Sequence, residues 1–112
     1  MDTNEIIIPE LNNETIESMI YIIRGQKVML DFDLAKIYGY ETKNFNQQVN
    51  RNIEKFPMDF MFKVNKDEMN LILMSQNVIS SWGGNRKLPH AFTEQGIYML
   101  MTVLKGDFDT IV

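Results

Sequence analysis

Gly39 divides residues 31–53, DFDLAKIYGYETKNFNQQVNRNI, into two short amphipathic runs. A stretch patterned this way reads as two helices joined by a glycine turn, the outline of a helix-turn-helix. The first helix is expected to start at Asp31 or Asp33 as cap, to place Leu34, Ile37 and Tyr38 on one side, and to stop at Gly39, which tolerates a left-handed backbone. Thr42 is the expected cap of the second. On a wheel of about 100° per residue Phe45, Val49 and Ile53 stack on the buried side, while Lys43, Asn44, Gln47, Asn50 and Arg51 gather opposite them. Asn and Gln pair bidentately with an adenine edge, Arg with guanine, and Lys with phosphate, each good base pairing giving roughly 1–3 kcal/mol of discrimination. The same face also reads as a solvated surface rich in Asn and Gln, because helix pairs of this kind serve as plain structural hairpins too.

A chain of 112 residues that is 45% hydrophobic suits one domain with a modest core. It has no cysteine, which removes disulfides, thiolate nucleophiles and thiolate zinc sites, and the single His90 builds no histidine metal cluster. The expectation is therefore no metal and no cofactor. No run approaches the roughly 18 apolar residues of a membrane helix, and MDTNEIIIPE is acidic rather than signal-like, so a cytoplasmic location and no membrane partner are expected. The sequon at Asn13 is read as chance for the same reason.

A formal net charge of -4 weighs against nucleic acid, since phosphate neutralisation supplies most non-specific affinity. Its distribution softens the objection. Residues 1–23 hold five acids and no base, whereas residues 24–66, which include the helix pair, hold eight bases against five acids. This asymmetry permits a nucleic-acid partner without pointing to one.

Residues 1–17 read as a loosely ordered acidic lead-in and 18–106 as the domain. Within it, Ile20–Ile23 and Val28–Leu30 flank Arg24-Gly25-Gln26-Lys27 as a hairpin. Phe60, Phe62 and Val64 alternate with Met61 and Lys63 as a half-buried strand. Asn65 and Glu68 suggest a capping box opening a helix through Met69, Ile72, Leu73 and Gln76 to near Val78. In SSWGGNRKLPHAF, Arg86 and Lys87 behind Gly83-Gly84 suit a loop touching phosphate, and Trp82 is read as plugging the core edge. A last helix begins at Thr93, with Ile97, Leu100, Met101 and Leu104 on its apolar face and Gly106 at its end. The nine methionines are read as core filler. The fold class is a small α+β domain with a short antiparallel sheet and additional helices. Residues 107–112 end apolar, which suggests a linker to a C-terminal domain of a longer protein.

The run RGQKVMLDFDLAKIYGYETKNFNQQVNRNIEKFPMDFMFKV followed by SSWGGNRKLPHAFTEQGIYML resembles the KilA-N-like N-terminal domain of phage antirepressor proteins, the ORF-six-N domain. The resemblance spans roughly Ile20 to Leu104 through blocks in order: RGQ, DLAKIYG, VNRNIEKFP, FMF, SSWGG, LP and FTEQG. It implies a DNA-binding module of phage, prophage or mobile-element transcription regulators, usually joined to a variable C-terminal domain, and it supplies no catalytic residues. It fixes no base contacts. Those rest on the wheel, with backbone contacts assigned by charge to Lys36, Lys55, Arg86 and Lys87.

Three functions follow. The first is duplex DNA binding with the second helix in the major groove. The second is a protein-interaction module that occupies a repressor, suited by the acidic lead-in. Any homo-oligomer would form through the full-length protein. An enzyme is the weakest reading: the pairs Asp31/Asp33 and Asp107/Asp109 lack a histidine, lysine or phosphate loop to complete a site, and no catalysis is expected.

Overall fold

Side-chain alternation on four short strands and period-3.6 patterning on four helices build a sheet with helices on both faces. The computed structural model describes residues 16–76 and 87–104. Strands β1 (Ile20–Ile23), β2 (Gln26–Leu30), β3 (Met61–Lys63) and β4 (His90–Phe92) form one antiparallel sheet in the order β1, β2, β4, β3. The helices are α1 (Asp31–Tyr38), α2 (Thr42–Arg51), α3 (Lys66–Ser75) and α4 (Glu94–Val103). The small α+β class and the antiparallel sheet are as expected from the sequence.

Alternation along the strands sorts side chains into two apolar clusters. Met29, Met61 and Phe92 face the side covered by α1, α2 and α4, where Leu34, Phe45, Val49 and Leu100 meet them. Val28, Leu30, Phe62 and Ala91 face the other side, against Met69 and Ile72 of α3. Both faces are therefore covered. This corrects the half-buried reading of β3, since Met61 is as buried as Phe62. The core on the α2 side is knit by edge-on rings, with Phe92 meeting Phe45 at 5.7 Å and Phe56 at 5.8 Å between centroids.

The β1–β2 hairpin turns on two residues, Arg24 (φ 55°) and Gly25 (φ 75°), both left-handed, the pattern that matches strand twist. Gln26 and Lys27 belong to β2 rather than to the loop. A non-glycine residue at Arg24 carries a conformational cost that its side chain offsets. The guanidinium donates to both Glu68 carboxylate oxygens (2.8 and 3.2 Å) and to the Lys63 carbonyl (3.2 Å), and it lies 4.1 Å over the Phe62 ring. That hydrogen bond, above all, holds the Glu68 carboxyl below its usual range. Glu68 also completes the capping box of α3: its backbone N–H donates to Asn65 Oδ1, and its carboxylate accepts from the Asn65 N–H.

Several boundaries differ from expectation. Leu30, not an aspartate, caps α1, so Asp31 falls inside its first turn; Glu41, not Thr42, caps α2. Neither cap is made by a side chain, and the aspartate is drawn off to neighbouring elements instead. Gly39 does close α1, with φ 78° and N–H bonds back to its last turn. Ile53 leaves the apolar stripe: α2 ends at Arg51, Asn52 donates to the Gln48 carbonyl, and a 3-10 turn at Ile53–Lys55 swings Ile53 out to 48% exposure. Met101 also lies outward, as do Met58 and Met74, so the methionines are not uniformly core filler. Among the described residues α3 ends at Ser75, with Gln76 as cap. Expectations about the lead-in before Ile16, about Val78, Trp82 and Arg86, and about Gly106 and the tail lie outside the described residues.

Burial, countered by Lys36 and reinforced by Asp31, pushes the Asp33 carboxyl from 3.8 up to about 6. Its folded form holds a proton that the unfolded chain has released, so stability falls as pH rises from about 4 to 6 and the penalty is complete above that window. Asp33→Asn should therefore unfold at higher urea than wild type at pH 7, by about 1 kcal/mol once solvent screening of the partly open carboxylate is allowed for. The advantage should vanish at pH 4, and an equal advantage at both pH values would refute this origin.

Candidate functional site

The side of α2 opposite its core contacts is built from polar residues alone. Phe45 and Val49 anchor the helix to the sheet, while Lys43, Asn44, Gln47, Asn50 and Arg51 are all exposed. No acid stands in the first turn of α2, and Lys43 stands there against the helix dipole, which disfavours a cation at that end. Asn44 reaches back to the Glu41 carboxylate at 3.5 Å; among the described residues the other four carry no side-chain bond that draws them inward. Five donor-rich side chains on a rigidly seated helix present a preorganised hydrogen-bonding face to a polar partner.

One flank of this face forms the wall of a cleft of about 690 Å³. Lys43, Gln47 and Asn50 line one wall, and Lys63, Lys87 and His90 line the other. The strand wall follows from alternation: Met61 and Lys63 point to the same face of β3, and Lys63 stands opposite His90 in the β3–β4 register. Met61 is covered by the helices. Lys63, two residues on, emerges past their edge.

Asp31 sits at the floor of the cleft, 4% exposed. Its Oδ2 accepts from Asn46 Nδ2 on α2 (3.1 Å) and from the His90 backbone N–H on β4 (3.1 Å), and His90 Nδ1 lies 3.8 Å away. A buried carboxylate is tolerated because these donors replace its water. By joining the two walls, Asp31 sets their separation.

The sequence-assigned residues thus divide. Lys43, Gln47, Asn50 and Lys87 share the cleft. Asn44 and Arg51 lie on the same helix beyond its rim, and Lys36 and Lys55 are exposed but do not line it. Sequence reasoning missed Lys63, His90, Asn46 and the strut made by Asp31. The strand alternation that puts Lys63 beside Met61 was a usable signal for the first; nothing local marked the others. Among the described residues no group of three His, Asp or Glu side chains could hold a metal ion.

No helix among the described residues is long and apolar enough to cross a membrane. The family model described as the ORF6N domain matches residues 18–103. No curated protein and no solved structure matches the chain significantly.

Proposed function

This chain belongs to the ORF6N domain family, and on that premise we propose that it is the duplex-DNA-binding module of a phage-type transcriptional regulator or antirepressor, acting in the cytoplasm by binding and not by catalysis. The observation that carries this reading is the exposed face of α2. Its Asn, Gln and Arg side chains match base edges in the major groove, and Lys43 matches phosphate. The helix is held by Phe45 and Val49, so its reading side chains are presented without reorganising the core.

Selection of bound duplexes from a random pool tests the proposal directly. A recovered consensus is expected, and its symmetry would report whether the bound form is a dimer. On that duplex, Asn50→Ala and Arg51→Ala should each cost about 1–3 kcal/mol and relax base preference at one position. With three to five phosphates neutralised, log affinity should fall against log salt with a slope of about -3 to -5. Equal binding of wild type and both variants to the selected duplex would sink the α2 reading. Absence of any duplex binding at low salt would move the function to a protein partner such as a repressor.

A further inference from the structure

Resting on the α2 reading, we propose that the cleft between α2 and the β3–β4 edge is the channel for the sugar-phosphate backbone of one DNA strand, gripped from the sheet side by Lys63 and Lys87. Three ammonium groups reach the cleft from three separate parts of the chain: Lys43 from the first turn of α2, Lys63 from β3, and Lys87 from the segment leading into β4. None of the three has an ion-pair partner among the described residues, whereas Arg24 is committed to Glu68. The Asp31 carboxylate in the floor offsets one of these charges, which leaves three ammonium groups against one carboxylate in the lining. The walls therefore offer a net positive slot beside the base-reading face.

The geometry matches what a groove-bound helix requires. A helix seated in the major groove has a phosphate backbone running along each flank. On the cleft flank of α2 that strand meets a second wall, and the wall carries lysines. The apolar lining, Phe32, Ile53 and Leu88 among it, gives the deoxyribose edge something to pack on. Ile53, turned outward where α2 gives way to the 3-10 turn, is part of this lining. At about 690 Å³ the slot falls in the range of roughly 300–1,000 Å³ that accommodates a small ligand, room enough for a nucleotide unit.

The test uses the 112-residue chain, a duplex recovered by selection, and a scrambled duplex of equal length. Lys63→Ala and Lys87→Ala should each make the slope of log affinity against log salt shallower by about one, and weaken selected and scrambled duplexes alike by roughly tenfold. Lys66→Ala, at the start of α3 on the opposite side of the sheet, serves as the control and should leave the slope unchanged. A methylphosphonate placed singly along each strand should weaken wild type at one or two positions and have no effect there on the Lys63→Ala, Lys87→Ala double variant. Circular dichroism checks that the variants are folded. If wild type binds with a normal slope, Asn50→Ala relaxes its preference and the cleft variants match wild type, the channel is overturned while the α2 reading stands. If wild type binds no duplex, both fall.

Discussion

Gly96→Ala is expected to destabilise the fold by about 3 kcal/mol, the upper end of the usual overpacking cost, read as a fall in the urea midpoint. A methyl group on an exposed helix usually stabilises relative to glycine, by roughly 0.5–1 kcal/mol, so the sign is diagnostic. Here a Cβ would stand 2.0 Å from the Phe60 carbonyl oxygen and 2.9 Å from its carbon, and both are backbone atoms with no rotamer to escape by. That carbonyl accepts from the Thr93 N–H (3.0 Å) and from the Thr93 hydroxyl (3.2 Å), which also donates to the Asp59 carbonyl (2.8 Å). Moving it away would strain these bonds and the α4 cap, in which Thr93 Oγ1 accepts from the Gly96 N–H. Gln95→Ala, exposed on the same turn, should be close to neutral. A Gly96→Ala protein within about 1 kcal/mol of wild type would mean that α4 does not approach the Phe60 turn this closely.

Phe45→Ala carries the second large effect, about 3–5 kcal/mol by the usual cost of truncating a buried aromatic. Phe45 is fully buried and meets both Phe92 and Tyr40 edge-on, so its loss opens a cavity between α2 and the sheet. The functional consequence should exceed that of an equally destabilising change on the far side of the sheet. Ile72→Ala, on α3 and buried against the far face of the sheet, provides the comparison. At a temperature where both variants remain folded, Phe45→Ala should lose duplex affinity and Ile72→Ala should keep it. Equal losses would show that α2 is not positioned by this anchor.

Local rules recovered the parts of the fold where one residue type decides the backbone. The Arg24-Gly25 hairpin, the Gly39 stop, the Asn65/Glu68 capping box and the Thr93 start are all where turn and cap chemistry put them. Failures came where tertiary contacts compete with local ones. Asp31 has the composition of a cap, yet two donors from distant elements draw its carboxylate away, and no local pattern announces partners 15 and 59 residues on. Ile53 keeps helical spacing with Phe45 and Val49, but the helix stops first.

The candidate site was half legible. Spacing on one helix placed the exposed face of α2, because a wheel needs only the helix. The opposite wall needed the β3–β4 pairing, which brings Lys63 beside His90 across 27 positions of chain. Among the described residues, most of the sequence blocks that carry the resemblance fall on turns, caps and packing contacts. FTEQG, for example, reads as a core ring, a cap, two exposed residues and a glycine pressed against a carbonyl. Such blocks identify an architecture readily and a ligand poorly.

The Arg24–Glu68 pair has a further consequence in the language of cooperative unfolding. One carboxylate serves at once as the cap of α3 and as the anchor of a left-handed hairpin residue. Fraying of the first turn of α3 therefore releases the hairpin tip, and opening of the tip exposes the start of α3. These two pieces, 44 residues apart in sequence, behave as one hinge-free unit on the side of the sheet remote from α2. Breathing of that unit can proceed while α2 stays seated.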